Sequence, residues 1–169
     1  MNRTATRLLI AIAVIGFVAP LLTAQNAAPG AKTLSALKNA PVTYLFPEQV
    51  NLPAGKPTAV ALHFRVAQGL HINSHTPSDE FLIPTNFSIP EGAGVHLDSA
   101  SYPAGTLTTL PADPATKVSV YVGEFVIQAR ITAARGNHLV EGKLRFQACN
   151  QNQCMPPKTI PVAIDVIGK

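Results

Sequence analysis

The chain has 169 residues, with 13 Lys and Arg against 9 Asp and Glu, 2 Cys, no Trp and 6% aromatic residues. So mild a charge balance is weak evidence for nucleic acid or anionic lipid, and so few aromatics weaken the case for a stacking platform. Two cysteines exclude a disulfide-dense scaffold and a four-cysteine zinc site, and leave room for one bridge or one redox pair.

Residues Met1 to Ala24 read as a secretory signal, with a basic n-region (MNRTATR) and an apolar h-region (LLIAIAVIGFVAPLL). Leu22-Thr23-Ala24 forms a cleavage box, and a cut after Ala27 or Ala28 is the alternative. An uncleaved anchor is the competing reading, but the apolar run is short for a span and carries Pro20. No cysteine follows the h-region to take a lipid. Loss of Arg3 and Arg7 leaves 11 basic residues against the 9 acidic ones. The remaining chain, about 145 residues, suits one domain with its own core in a compartment that permits disulfides. That points to a bacterial periplasmic or secreted protein.

Gln25 to Ala40 is small, polar and weakly patterned, a flexible lead into a domain spanning residues 41–169. Beyond it the rhythm is β. In TAVALHFRV, residues Val60, Leu62, Phe64 and Val66 alternate with Ala61, His63 and Arg65. In EFVIQARIT, Phe125, Ile127, Ala129 and Ile131 share one face. Val140, Leu144 and Phe146 form the apolar face of HLVEGKLRFQAC, and Val162, Ile164 and Val166 that of TIPVAIDVI. Shorter strands are expected at Val42–Phe46, Thr85–Ile89 and Val95–Leu97. Turn residues fill the gaps (LPAGKP, AQGL, IPEGAG, YPAG, LPADPAT, ARGN), and 15 prolines argue against long helices. Seven or eight short strands of this kind indicate an all-β, immunoglobulin-like β-sandwich. Gly105–Lys117 is expected to be its long surface loop.

Cys149 and Cys154, in QACNQNQCMPP, are the main chemical signal. Four uncharged polar residues separate them, and a hairpin leaving the strand at Cys149 would return Cys154 toward bonding distance. A static staple, a redox pair and a metal-binding pair all remain open. As a staple, so small a ring adds only about 2 kcal/mol. As a redox pair it lacks the helix N-terminus of a C-x-x-C motif, and no Lys or Arg stands between the cysteines to lower a thiolate pKa. Such a pair exchanges electrons passively, through a mixed disulfide with a more reactive partner thiol. Met155-Pro156-Pro157 stiffens the exit from the loop.

The five histidines form no ligand spacing: His71 and His75 would share a face only on a helix, and no His lies between Cys149 and Met155 as a cupredoxin requires. Solvated or hydrogen-bonded histidines are the simpler reading, with His71 ordering its own loop. Asp79 and Glu80 point apart on an extended segment, which is poor geometry for paired acid and base work. Neither a nucleophile elbow nor a phosphate loop is present.

QACNQNQCMPPKTIPVAIDV resembles the C-terminal signature of the N-terminal periplasmic domain of the thiol:disulfide interchange protein DsbD. FRVAQGLHINSHTP followed by IPTNF, the Ser101–Pro103 segment and VYVGEFVIQARI agree with that family in the same order, from about Val42 to Ile167. The resemblance implies an immunoglobulin-like sandwich that takes reducing equivalents from a membrane electron-transfer domain and passes them to periplasmic disulfide proteins. It implies Cys149 and Cys154 as the redox-active, disulfide-forming pair, with Ser101, Tyr102 and Pro103 in the cap segment that shields them. The best-known members carry an acidic-aromatic cap and wider cysteine spacing. The acidic pair is missing here at that point, although Asp98 is close, and Asp79-Glu80-Phe81 falls too early to replace it.

The expected function is thus periplasmic thiol–disulfide exchange, as a component of a protein-disulfide reductase. No cofactor is required. Partners are thioredoxin-like or disulfide-bonded periplasmic proteins and a membrane thiol reductase supplied in trans, since the sequence ends at Lys169 without membrane helices or a thioredoxin-like domain. Nucleic acid and stable membrane insertion after signal cleavage are not expected. The competing reading is a noncatalytic interaction domain with a structural disulfide.

Overall fold

A computed structural model describes residues 40–45, 49–110 and 113–169. The expected signal and all of the lead except Ala40 lie outside the described residues, as does Phe46. Twelve strands and no helix are found among the described residues. They are β1 (Val42–Tyr44), β2 (Gln49–Leu52), β3 (Thr58–Val66), β4 (His71–Asn73), β5 (Asn86–Ser88) and β6 (Val95–Ser101). Then come β7 (Thr106–Leu110), β8 (Asp113–Tyr121), β9 (Glu124–Ala133), β10 (Gly136–Phe146), β11 (Ala148–Cys149) and β12 (Lys158–Gly168).

Strict alternation decides the long strands. In β3, Val60, Leu62, Phe64 and Val66 are buried, and the residues between them stay at least partly exposed. β9 buries Phe125, Ile127, Ala129, Ile131 and Ala133, and β12 buries Val162, Ile164 and Val166. One sheet runs β1-β3-β9-β6 and a second runs β2-β12-β10-β5. Their apolar faces meet in a single core that includes Leu62, Phe64, Ile127 and Ile131 from one sheet, and Val140, Leu144, Phe146 and Ile164 from the other. This is the open, immunoglobulin-like sandwich that the alternation predicts. β2 pairs parallel to β12, and Gln49 Nε2 donates to Asp165 Oδ2 at 2.6 Å.

The third sheet, β11-β4-β8-β7, extends one end of the sandwich. β11 follows β10 after the single residue Gln147, β8 runs into β9 across Val122-Gly123, and β4 follows β3 after a short turn. Ile72, Tyr121 and Ala148 of this sheet turn into the main core. Val118, Val120 and Cys149 are equally buried but stand outside that core, on the sheet's other face.

Two expectations need correction. The segment Gly105–Lys117 is largely a hairpin, with Thr106 opposite Val120 and Thr109 opposite Lys117. Pro111 and Pro114 read as loop punctuation, yet Pro114 lies at the start of β8, next to a register shift between Thr109 and Leu110 where proline is tolerated. The strand count also exceeds seven or eight, because β4, β7, β8 and β11 pair separately in the third sheet.

Candidate functional site: the Cys149–Cys154 hairpin and its groove

β11 ends at Cys149, and the chain turns through Asn150, Gln151, Asn152 and Gln153 to Cys154. The turn is built by its own side chains. Asn150 Oδ1 accepts the N–H groups of Asn152 at 2.8 Å and Gln153 at 2.9 Å, a local bond pattern that a short amide side chain favours. Two backbone bonds close the hairpin: Asn150 N–H to Gln153 O at 3.0 Å and Met155 N–H to Ala148 O at 2.8 Å. Cys149 and Cys154 are therefore bridge partners as well as covalent ones, with Sγ atoms 2.04 Å apart and Cα atoms 3.9 Å apart.

Gln147 ties the hairpin to the sheet. Its Nε2 donates to Met155 O at 3.2 Å, and its Oε1 accepts from Asn73 Nδ2 at 3.3 Å. Asn73 also donates to Ile83 O at 3.0 Å. The two ends of the bridge differ sharply: Cys149 is 1% exposed, whereas Cys154 is exposed. One sulfur is sheltered by the sheet and the other residue is offered to solvent.

Beside the hairpin lies an open groove of about 480 Å³, with His71, Thr106, Thr108, Val120, Val122 and Gln151 among its lining residues. β4 contributes His71 to its lining, β8 Val120, β7 Thr106 to Thr109 and the cysteine loop Gln151. Leu107 and Val122 leave apolar surface there, at 62% and 52% exposure. His71 stands directly opposite Cys149 in the β4–β11 register. Burial lowers its pKa below the ordinary histidine value, so the imidazole is predominantly neutral at pH 7.

The Ser101–Pro103 segment is fixed by other partners. Ser101 ends β6 opposite Gln128 and is exposed. The half-buried Tyr102 lays its ring parallel to His75, and its hydroxyl accepts the Phe87 N–H at 2.8 Å. Pro103 O accepts the Tyr121 hydroxyl at 3.0 Å, and that hydroxyl accepts the His75 N–H at 3.1 Å. Burial raises both phenol pKa values, opposed by the N–H groups of Phe87 and His75 respectively, and the neighbouring Tyr102 raises that of Tyr121 further. Both hydroxyls thus stay neutral. Ser101 pairs with β9, the hydrogen bonds and ring contacts of Tyr102 and Pro103 run to β5, β8 and the His75 loop, and none of these contacts is to either sulfur. It is the continuation of the segment, β7, that reaches the groove at the cysteine loop.

The sequence singles out the two cysteines that the structure joins in the bridge, and does not single out His71, Gln147 or β7 as their surroundings. The Thr/Leu alternation of Thr106-Leu107-Thr108 was the available signal for β7. Among the described residues no cluster of His, Cys, Asp and Glu suited to a metal ion is found, and no helix is long and apolar enough to cross a membrane.

The family model for the thiol:disulfide interchange protein DsbD, N-terminal, matches residues 41–165, a span that holds both cysteines, the groove and β7. Two solved structures are similar. The N-terminal domain of DsbD from Neisseria meningitidis, in its reduced form, is 18% identical over 68% of this chain and 82% of its own, with a TM-score of 0.46. The N-terminal periplasmic domain of ScsB from Proteus mirabilis is 14% identical over 73% of this chain and 44% of its own, with a TM-score of 0.48. No curated protein matches this chain.

Proposed function

Since the chain belongs to the family of N-terminal domains of the thiol:disulfide interchange protein DsbD, we propose that it carries electron pairs between periplasmic thiol and disulfide proteins through Cys149 and Cys154. The observation that supports this reading most is the asymmetry of the bridge, with Cys149 buried and Cys154 exposed.

In the reduced domain, the Cys154 thiolate attacks one sulfur of a partner disulfide. A Cys154–partner bond forms, and the partner's second sulfur leaves as a thiolate. Cys149 then attacks Cys154 Sγ, the intramolecular bridge closes, and the partner departs fully reduced. Two electrons have moved to the partner. The reverse sequence reloads the domain, starting with attack of a reductant thiolate on the exposed Cys154 end of the bridge. Thioredoxin-like proteins fit the first role and a membrane thiol reductase the second. Ser101, Tyr102 and Pro103 serve as the anchored base of the shield, from which β7 rises beside the cysteine loop. The chemistry needs no cofactor.

Trapping tests the reading. Cys149→Ser, incubated with a disulfide-bonded thioredoxin-like protein, is expected to accumulate a mixed disulfide at Cys154, and Cys154→Ser to accumulate none. A potential above roughly −300 mV accompanies an exchange role. A lower potential without exchange assigns the bridge to a noncatalytic interaction domain.

A further inference from the structure

Resolution of the mixed disulfide requires Cys149 to act as a thiolate although it is 1% exposed. Burial without a counter-charge opposes ionisation of a thiol, so the proton needs an acceptor close by. Among the described residues that line the groove beside the hairpin, His71 alone carries a titratable side chain. His71 is the Cα partner of Cys149. Gln147 and Asn73, two residues along the same ladder, exchange the Asn73 N–H to Gln147 O bond at 3.3 Å. By the alternation of an antiparallel pair, His71 and Cys149 also form a hydrogen-bonded pair, and directly opposed side chains project to one face with Cβ atoms about 5 Å apart. His71 lines the open groove on that face, so its ring has both a buried neighbour and access to water.

We propose that His71 is the general base for Cys149, a role that rests on the exchange reading of the cysteine pair. Neutral imidazole takes the Cys149 Sγ proton, and the thiolate attacks Cys154 Sγ. The Cys149–Cys154 bond forms as the Cys154–partner bond breaks, and the partner sulfur leaves with the electron pair. The imidazolium returns its proton to water or to the departing thiolate. In the reloading direction the same imidazole, protonated, quenches the Cys149 thiolate as it is expelled.

The surroundings favour a neutral ring poised for this task. β11 faces His71 with Cys149, and the cysteine loop with Gln151. β8 places Val122 next in line after its Ile72–Tyr121 pair, and β7 contributes Thr106 and Thr108. No carboxylate or cation is among the described residues that line the groove. The nearest ion pair in the neighbouring groove, Arg65 with Glu124 at 2.6 Å, lies past Leu70 and Val122 and is paired with itself. Lys117 is further along β8, opposite Thr109.

The test follows ring closure after reduced, mature protein is mixed with oxidised glutathione, between pH 5 and pH 9. The wild type is expected to show an inflection below the ordinary histidine range and a second in the thiol range. His71→Gln should lose only the lower inflection and close about tenfold or more slowly at pH 7. His96→Gln, on the exposed side of β6, should keep both inflections. A His71→Gln chain that retains both inflections and closes within twofold of the wild type overturns the proposal. Should that variant not fold, the His71 ring resonances of the wild type decide. Their titration midpoint shifts by about half a unit or more between oxidised and reduced protein if ring and thiol are coupled, and identical curves overturn the proposal. A wild type that folds but never closes the ring overturns the exchange reading, and the role of His71 with it. Normal closure with an unchanged profile in His71→Gln removes the histidine role alone.

Discussion

The rings of His75 and Tyr102 stack face to face, with centroids 3.7 Å apart and planes 2° from parallel. His75 Nδ1 lies 3.0 Å from Thr85 O, which only accepts, so this nitrogen carries the proton. The stack therefore joins the loop after β4 to the segment that leads into β7.

Tyr102→Phe keeps the ring and loses the bond to the Phe87 N–H, a cost of about 1 kcal/mol. Tyr102→Ala loses the stack as well and is expected to cost about 2–3 kcal/mol, less than a fully buried aromatic because the residue is partly exposed. Urea titration measures both. If the segment anchors a shield, the alanine variant also alkylates faster at Cys154 in the reduced protein, and the phenylalanine variant does not.

Asn150 is the second lever. Asn150→Ala removes the acceptor for two N–H groups in an exposed turn, so about 1–2 kcal/mol of local order is lost. Asn150→Asp retains the acceptor. Reduction by dithiothreitol should accelerate in the alanine variant and stay near the wild-type rate in the aspartate variant. Equal rates in all three proteins would dissociate the turn from sulfur access.

His71 also couples stability to pH. Its folded-state pKa lies below the unfolded value because burial disfavours the cation. Between the two values the unfolded chain binds more protons, so its contribution is present above about pH 6.5 and is lost as pH falls through the folded value. Urea titrations at pH 7.5 and pH 5 should show this loss in the wild type and a smaller loss in His71→Gln.

Gly105 marks a close approach. A methyl group built there would stand 2.1 Å from Ser119 Oγ and 2.8 Å from Ser74 Cβ, and the two serines share a buried 2.9 Å hydrogen bond. Gly105→Ala should cost about 1–3 kcal/mol through overpacking. The double variant Gly105→Ala/Ser119→Gly should recover part of it, which thermal unfolding would register.

Local chemistry was legible in the sequence and long-range register was not. Thr58–Val66 announces itself as a strand because each residue's facing depends only on its parity. The cysteine hairpin is legible for the same reason, since its closing bonds span a few residues. The meeting of His71 with Cys149, or of Tyr102 with His75, depends on which strands become neighbours and in what register, which no single segment encodes. By parity with Phe146, Gln147 reads as one more outward polar residue of a strand, and its role comes from Asn73 and Met155 arriving on either side. The β7–β8 hairpin was hidden by prolines that a strand interior rejects and a register shift accepts.

The smallness of the sulfur ring has a consequence for the life of the domain. The disulfide ring takes in only Cys149 to Cys154, and the sandwich is held by a core to which neither cysteine belongs. Breaking the bridge releases little chain, about 2 kcal/mol by loop-closure arithmetic, and leaves the packing between sheets untouched. In the proposed exchange role the domain works as a rechargeable cell in a rigid case: each cycle of loading and discharge is felt in one hairpin, and the packed body around it is left as it was.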